Sequence, residues 1–264
     1  ATKSLSERSY SWPSSVAFAG RVVYAKRSVT MKKLIMALLI CSSLLPQLAL
    51  SGSLEAGKSA LTRGHYTTAM RAFLPLAESG NSDAQTFVGY LFEKGFGVPQ
   101  STLTAINWYK KAGEQGSYGA QHSLGLIYFK GESVDLDYLE AYEWFLRASD
   151  SEFPPSLYML GLMYHQGHGV SVDFDNARVW FLKSAKLGSA NAQFMYAYML
   201  QSGEGGSSES HKAMIWAILS EINGKEDAVS ITVPASMNMT EIEIETARKI
   251  GRECLADNYE SCPE

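Results

Sequence analysis

The fold follows from residues 156–188, which read SLYMLGLMYHQGHGVSVDFDNARVWFLKSAKLG. The small and apolar residues of the first half are spaced as one face of a helix: Ser156, Met159, Leu160, Met163 and Tyr164. Gly167 and Gly169 break this helix, and Asp173 is a good N-cap for a second one. The second helix has its own apolar face, made of Ala177, Trp180, Phe181 and Ser184. The segment therefore predicts a helical hairpin with a glycine-rich loop.

The landmark residues of this hairpin recur at a constant interval of 36 residues. Tryptophan occupies one position in every unit: Trp108, Trp144, Trp180 and Trp216. A small residue keeps the same step at Gly89, Gly125, Gly161 and Ala197, and a loop glycine keeps it at Gly95, Gly131, Gly167 and Gly203. A period of about 20–50 residues is typical of solenoid arrays, in which neighbouring hairpins bury each other's faces.

The repeated pattern resembles the Sel-1-like repeat, a relative of the tetratricopeptide repeat with a longer loop between its helices. The resemblance rests on Gly125-Leu126-Ile127-Tyr128, on the Gly-x-Gly-Val loops, and on Ala177-x-x-Trp180-Phe181-x-x-Ser184 with Gly188. It extends over residues 82–224, with departures at Ser133, Ala197 and Gly206. The resemblance implies an all-α fold, a right-handed α–α solenoid of helical hairpins that ends in a C-terminal capping helix.

The same pattern predicts the organisation of the chain. We expect repeats at residues 82–117, 118–153, 154–189 and 190–224, after a degenerate N-terminal capping repeat at 52–81 and before a C-terminal cap at 225–264. Residues 31–51 read as a signal peptide: Met31-Lys32-Lys33 precedes an apolar run from Leu34 to Leu45. We expect cleavage after Ser51, with an uncleaved anchor as the alternative. Residues 1–30 are interpreted as a non-native upstream extension.

The charge of the chain excludes one class of partner. Residues 1–51 carry seven Lys or Arg against one acid, so the remainder carries 16 bases against 26 acids. Such a body repels a phosphate backbone, and we expect no nucleic-acid partner. Membrane contact is expected only through the transient signal peptide. The signal also predicts a periplasmic or secreted protein.

The cysteines, the histidines and the glycine-rich loops are the candidates for a disulfide, a metal site and a phosphate site. Cys254 and Cys262 are predicted to form a disulfide in an oxidising compartment, with two unpaired thiols as the alternative. His165 and His168 lie near two aspartates, but their spacing fixes no third ligand, so we expect no metal site. The glycine-rich loops lack the Lys-Ser/Thr of phosphate-binding loops. We expect no cofactor and no catalytic residue.

A second stripe on the first helix of each repeat is the candidate binding surface. Its members are spaced along one helix face: Tyr90, His122, Leu126, Phe129, Tyr158, Leu162, His165, Phe194 and Tyr198. In the family that the chain resembles, this face lines the concave groove. Aromatic and apolar side chains in a groove indicate a peptide or protein ligand. The alternative for the same stripe is packing between neighbouring repeats.

These observations predict a non-enzymatic, exported adaptor or scaffold that binds a segment of another protein. The alternative is a β-lactam-binding protein or weak β-lactam hydrolase, related to a cysteine-rich branch of the same family. That branch has a disulfide in each repeat, whereas this chain has no cysteine between Cys41 and Cys254. A structural spacer without a binding groove is the third possibility.

Overall fold

The computed structural model describes residues 54–237 and 239–264. These residues form helices and the loops between them, without a strand. The helices span residues 54–62 (α1), Tyr66–Glu78 (α2), Ser82–Lys94 (α3), Thr102–Gly113 (α4), Tyr118–Lys130 (α5), Tyr138–Ser149 (α6), Pro154–Gln166 (α7), Phe174–Lys186 (α8), Ala190–Ser202 (α9), Ser210–Ile222 (α10), Val229–Ser236 (α11) and Glu241–Ala256 (α12), with a 3₁₀ turn at Glu226–Ala228. The all-α prediction is confirmed. The predicted signal peptide and the predicted extension before it lie outside the described residues.

The helices pack as consecutive hairpins, α3 on α4, α5 on α6, α7 on α8 and α9 on α10. We call α3, α5, α7 and α9 the first helices, and α4, α6, α8 and α10 the second helices. The second helix of each hairpin also packs on the first helix of the next, which gives the predicted solenoid arrangement. Among the described residues, no helix combines the length and the apolar character that crossing a bilayer requires.

The helix ends lie where the sequence predicts them. Ser101, Asp137 and Asp173 each accept a hydrogen bond from the backbone N–H three residues later, whereas Glu209 makes no such bond. Every first helix ends at a glycine in the left-handed conformation: Gly95, Gly131, Gly167 and Gly203. These caps fix the start of the loop at the same place in each hairpin.

A glycine facing an aromatic ring sets the closest approach within each of the first three hairpins. A Cβ atom on Gly125 would lie 2.5 Å from the Phe145 ring, and the pairs Gly89–Tyr109 and Gly161–Phe181 are equally tight at 2.7 and 2.6 Å. The fourth hairpin has alanine at both corresponding positions, Ala197 and Ala217, and both are fully buried. Alanine is thus tolerated at position 197 because the aromatic ring that faces glycine in the other three hairpins is replaced by Ala217.

The tryptophans of the first three repeats share one contact, although Trp144 is buried and the other two are partly exposed. Trp108, Trp144 and Trp180 each lie under the cation three residues later, Lys111, Arg147 and Lys183, all 4.5 Å from the ring centroid. Trp216 has Leu219 at that position and is fully buried. Its cover comes from the C-terminal tail, since its indole N–H donates to the carbonyl oxygen of Pro263 at 2.8 Å.

Candidate functional site

The nine predicted groove residues lie on α5, α7, α9 and, for Tyr90, α3. Eight of the nine are partly buried, and Tyr198 is 40% exposed. We call this set the first-helix stripe. Partial burial fits both readings of the stripe, because each side chain contacts its neighbours and still presents some surface to solvent. The use of the stripe as a binding groove stays a prediction.

His122 links two repeats through packing. Its Nδ1 lies 2.9 Å from the hydroxyl of Ser156, and its ring contacts Phe145 and Phe153 at centroid distances of 5.5 and 5.2 Å. Burial lowers the pKa of His122 to about 4. The imidazole is therefore neutral near pH 7, and in this part of the stripe the packing role dominates.

His165 forms the polar part of the stripe. Its Nε2 lies 2.8 Å from Oε2 of Glu204, and the Tyr198 hydroxyl donates to the other carboxylate oxygen at 3.4 Å. The Nδ1 atom of His165 is buried without a hydrogen-bond partner among the described residues. The stripe thus joins α7 and α9 to the loop after α9, and it carries a carboxylate at its edge.

The two histidines considered as metal ligands point to different neighbours. His168 stacks on Tyr138 at a centroid distance of 4.4 Å, whereas His165 contacts Glu204. Over residues 54–237 and 239–264, no group of three or more His, Cys, Asp or Glu side chains is arranged to hold a metal ion. Both histidines therefore serve contacts between repeats.

The remaining members of the stripe pack against the core. Phe129 makes edge contacts with Tyr138 and Phe145, at 5.2 and 6.5 Å. Leu126 and Leu162 border the buried clusters of the second and third hairpins. Burial raises the pKa of Tyr158, whose ring lies 5.7 Å from that of Phe181. Phe194 carries Lys225 over its ring at 5.4 Å.

An aromatic cavity of about 320 Å³ opens at the N-terminal end of the stripe. Its lining comes from several helices and one loop: Leu61, Tyr66, Thr86, Phe87, Tyr90, Phe96, Tyr109 and Ser123. Tyr66 stacks on Phe96 at 4.3 Å, and Tyr90 meets Phe96 edge-on at 5.9 Å. These rings form two steeply angled walls, which suits a flat or aliphatic side chain of a ligand.

One wall residue of the cavity, Tyr109, is held by a hydrogen bond to a carboxylate. The buried Tyr109 hydroxyl donates to Oε2 of Glu93 at 2.8 Å, and Glu93 pairs with Lys94 at 2.6 Å. Burial, followed by the charge of Glu93, raises the pKa of Tyr109 well above its usual value. The phenol is therefore a permanent donor, and its bond to Glu93 fixes the ring that closes the cavity.

The sequence pattern identified Tyr90 in this cavity and missed Tyr66, Phe87 and Phe96. Phe96 and His168 each follow the glycine that caps a first helix. Phe96 stacks on Tyr66, the first residue of α2, and His168 stacks in the same way on Tyr138, the first residue of α6. The residue after the capping glycine could therefore have pointed to Phe96. The residue type at this position changes from repeat to repeat, because Glu132 and Glu204 occupy it in the other two loops.

Comparison with known families places the chain. The family model for the Sel1 repeat matches residues 82–117, 119–152, 154–189 and 190–221, which is more than half of the chain. The chain belongs to the Sel1 repeat family. This is the family that the sequence pattern resembles. Sel1 repeat proteins generally serve as protein–protein interaction modules.

Two solved structures are similar to this Sel1 repeat chain. A Sel1 repeat protein from Oxalobacter formigenes is 26% identical with a TM-score of 0.61, over 71% of this chain and 79% of that one. The c5321 protein, a protective antigen present in uropathogenic Escherichia coli strains and displaying an SLR fold, is 23% identical with a TM-score of 0.52. That match covers 80% of this chain and 55% of c5321, so it spans about half of that protein. No significant match was found among curated proteins.

The two cysteines beyond the Sel1 repeats lie side by side. Cys254 on α12 and Cys262 in the tail are both buried, and they belong to the same hydrophobic cluster. Burial raises the pKa of both thiols. The disulfide between them stays a prediction, and their place in one buried cluster is compatible with it.

Proposed function

We propose that this Sel1 repeat protein is an exported adaptor without catalytic activity, which binds a peptide or protein segment along its first-helix stripe. The observation that carries the proposal is the aromatic cavity at Tyr90. Leu126, Leu162 and Tyr198 occupy the position of Tyr90 in the next three first helices, and each of them is at least partly exposed. Membership of an interaction-module family supports a protein partner. The signal-like segment before the repeats supports export to the periplasm or the medium.

The stripe offers a ligand two kinds of contact. At its N-terminal end, the cavity takes an apolar anchor between Tyr66, Tyr90 and Phe96. At its C-terminal end, Tyr198 and the carboxylate of Glu204 offer an exposed ring and a hydrogen-bond acceptor. Aromatic anchors in desolvated pockets supply most of the binding energy in protein interfaces, and polar contacts at the rim supply orientation.

The alternative function, β-lactam binding or hydrolysis, finds no supporting observation in the described residues. His122 is the one stripe histidine in contact with a serine hydroxyl among the described residues, at 2.9 Å from Ser156, and that serine is fully buried and so closed to a substrate. The Glu204 carboxylate contacts His165 and Tyr198. A colorimetric β-lactam hydrolysis assay on the purified chain tests this alternative. Turnover above that of a denatured control contradicts the non-catalytic proposal.

Site-specific photocrosslinking in producing cells tests the binding face. A photoreactive phenylalanine analogue replaces Tyr90 or Tyr198 on the first helices, and in matched controls it replaces Leu103 or Val179 on the second helices. The controls are exposed apolar residues, at 67% and 48%. The proposal predicts a discrete protein adduct from the first pair only. Adducts of the same partner from the second pair alone, or none from either pair, contradict the proposal.

A further inference from the structure

The C-terminal cap presents an apolar stripe to solvent. Val229, Val233 and Met237 follow one another at intervals of four residues and are 57%, 51% and 75% exposed. Nearby, Ile242 at the start of α12 is 80% exposed. The end units of a repeat array normally carry a polar outer face, because an apolar end invites association. This cap instead has an apolar strip on α11 beside the charged residues of α12.

A groove runs beside the apolar stripe. It has a volume of about 240 Å³ and lies between α10, α11 and α12. Val233 lines one wall, and Ile244, Glu241 and Arg248 line the opposite wall. An occupant of this groove therefore meets Val233 between the polar Thr232 and Ser236 on the α11 side, and charged side chains on the α12 side.

The charges on α12 are arranged symmetrically. Glu241, Glu245, Arg248 and Arg252 follow at intervals of four, three and four residues, so they lie along one helix face. Their order is acid, acid, base, base. When a second copy of α12 is placed antiparallel against this face, Glu241 faces Arg252 of the second copy, and Glu245 faces Arg248 of the second copy. The face is complementary to itself.

Within one chain these charged side chains form only exposed ion pairs. Glu245 pairs with Arg248 at 3.6 Å and with Arg252 at 3.2 Å, and all three side chains are more than half exposed. Exposed pairs of this kind contribute at most about 1 kcal/mol, so exchanging them for pairs between two chains costs little. The apolar area of Val233, Met237 and Ile242 then supplies the favourable term.

We propose that two copies of this chain associate through their C-terminal caps, with α12 antiparallel to α12 of the second copy and with Val233, Met237 and Ile242 at the contact. A two-fold interface uses the same patch on both copies, and a charge order that reads as its own complement is what such an interface requires. The interface leaves α3, α5 and α7 out of the contact. A dimer therefore offers two first-helix stripes to a partner with repeated binding segments.

Sedimentation of the purified full chain at low and high salt tests the proposal. The expected result is a mass of two chains, with dissociation favoured by high salt because the α12 pairs are screened. Val233→Glu combined with Met237→Glu is expected to yield single chains. Leu103→Glu combined with Val179→Glu is the matched control, which adds the same charge at exposed apolar positions elsewhere and is expected to leave the dimer intact.

Charge reversal separates the α12 contact from a general hydrophobic association. Glu245→Arg alone is expected to weaken the dimer at least tenfold, because it places two arginines against each other. Adding Arg248→Glu restores the facing pair and is expected to recover the association. Circular dichroism confirms that each variant is helical. A single-chain mass for the unaltered protein at low salt overturns the proposal, and so does a dimer that survives the Val233→Glu/Met237→Glu variant.

Discussion

Trp216 donates its indole N–H to the carbonyl oxygen of Pro263, 47 residues further along the chain, at 2.8 Å. This bond replaces the stacked cation that covers the tryptophan in the three preceding repeats. The tail therefore contacts the last repeat at the position of its tryptophan. Glu264, which follows Pro263, contacts both Lys186 and Lys212 and holds the tail across α8 and α10.

Replacing Trp216 by phenylalanine is expected to lower the free energy of unfolding by about 2–3 kcal/mol, because it leaves the Pro263 carbonyl without its donor and opens a space in a fully buried site. Urea denaturation followed by circular dichroism measures the change. Trp108→Phe is the control: this ring is half-buried, and a loss below about 1 kcal/mol is expected. Equal losses at the two positions contradict the special role of Trp216.

The Cys254–Cys262 disulfide is expected in protein isolated without reductant. Intact mass spectrometry should show a mass lower by two hydrogens, which reductant restores. Closing this short loop restricts the unfolded chain, so reduction or Cys262→Ser is expected to cost about 2–3 kcal/mol of stability. In reductant, the variant and the unaltered chain should unfold at similar urea concentrations. Two alkylatable thiols in the untreated protein would disprove the disulfide.

Gly125→Ala is expected to destabilise the protein by about 1–3 kcal/mol, since the new Cβ would lie 2.5 Å from the Phe145 ring. Gly119→Ala in the same helix is the control. Its nearest neighbour would be 3.7 Å away, so the better helix propensity of alanine should leave stability unchanged or raise it by up to about 1 kcal/mol. Thermal unfolding of both variants checks the prediction. Similar melting temperatures would contradict the close-approach explanation.

His122 makes the stability depend on pH. Its pKa is lowered by burial to about 4 in the folded protein, below the usual value near 6.5. Between these values the unfolded chain binds a proton that the folded chain does not, so the stability falls as the pH drops from about 6.5 towards 4. His122→Leu removes this contribution, and its unfolding midpoint should change less over that interval. An unchanged slope in urea titrations at several pH values refutes the assignment.

The sequence predicted the repeat architecture because the features that build it are local and periodic. The caps at Ser101, Asp137 and Asp173 and the left-handed glycines recur in register. The stripe residues also lie on the first helices, as their spacing required. These predictions were possible because each cap and loop is set by residues within one repeat, and the 36-residue recurrence then extends it to the other repeats.

The features that escaped prediction depend on departures from the period. Tyr66 lies in the N-terminal hairpin, whose spacing differs from that of the repeats and in which Gly57 faces Phe73. Phe96 lies in the loop after α3 and stacks on Tyr66 to line the aromatic cavity. One periodic feature was also overlooked: Gln85, Gln121 and Gln193 each donate a side-chain N–H to a carbonyl near the end of the preceding helix. Leu157 interrupts this series, which hides it from a search for identical residues.

The first-helix stripe is tested most directly by the affinity for the partner that photocrosslinking identifies. Tyr90→Ala combined with Phe96→Ala removes two walls of the aromatic cavity, and truncating two anchors of this type costs about 2 kcal/mol or more. We expect at least a tenfold rise in Kd by calorimetry, with no change for Leu103→Ala combined with Val179→Ala. An unchanged Kd for the Tyr90/Phe96 variant, in a chain that remains folded, would contradict the account.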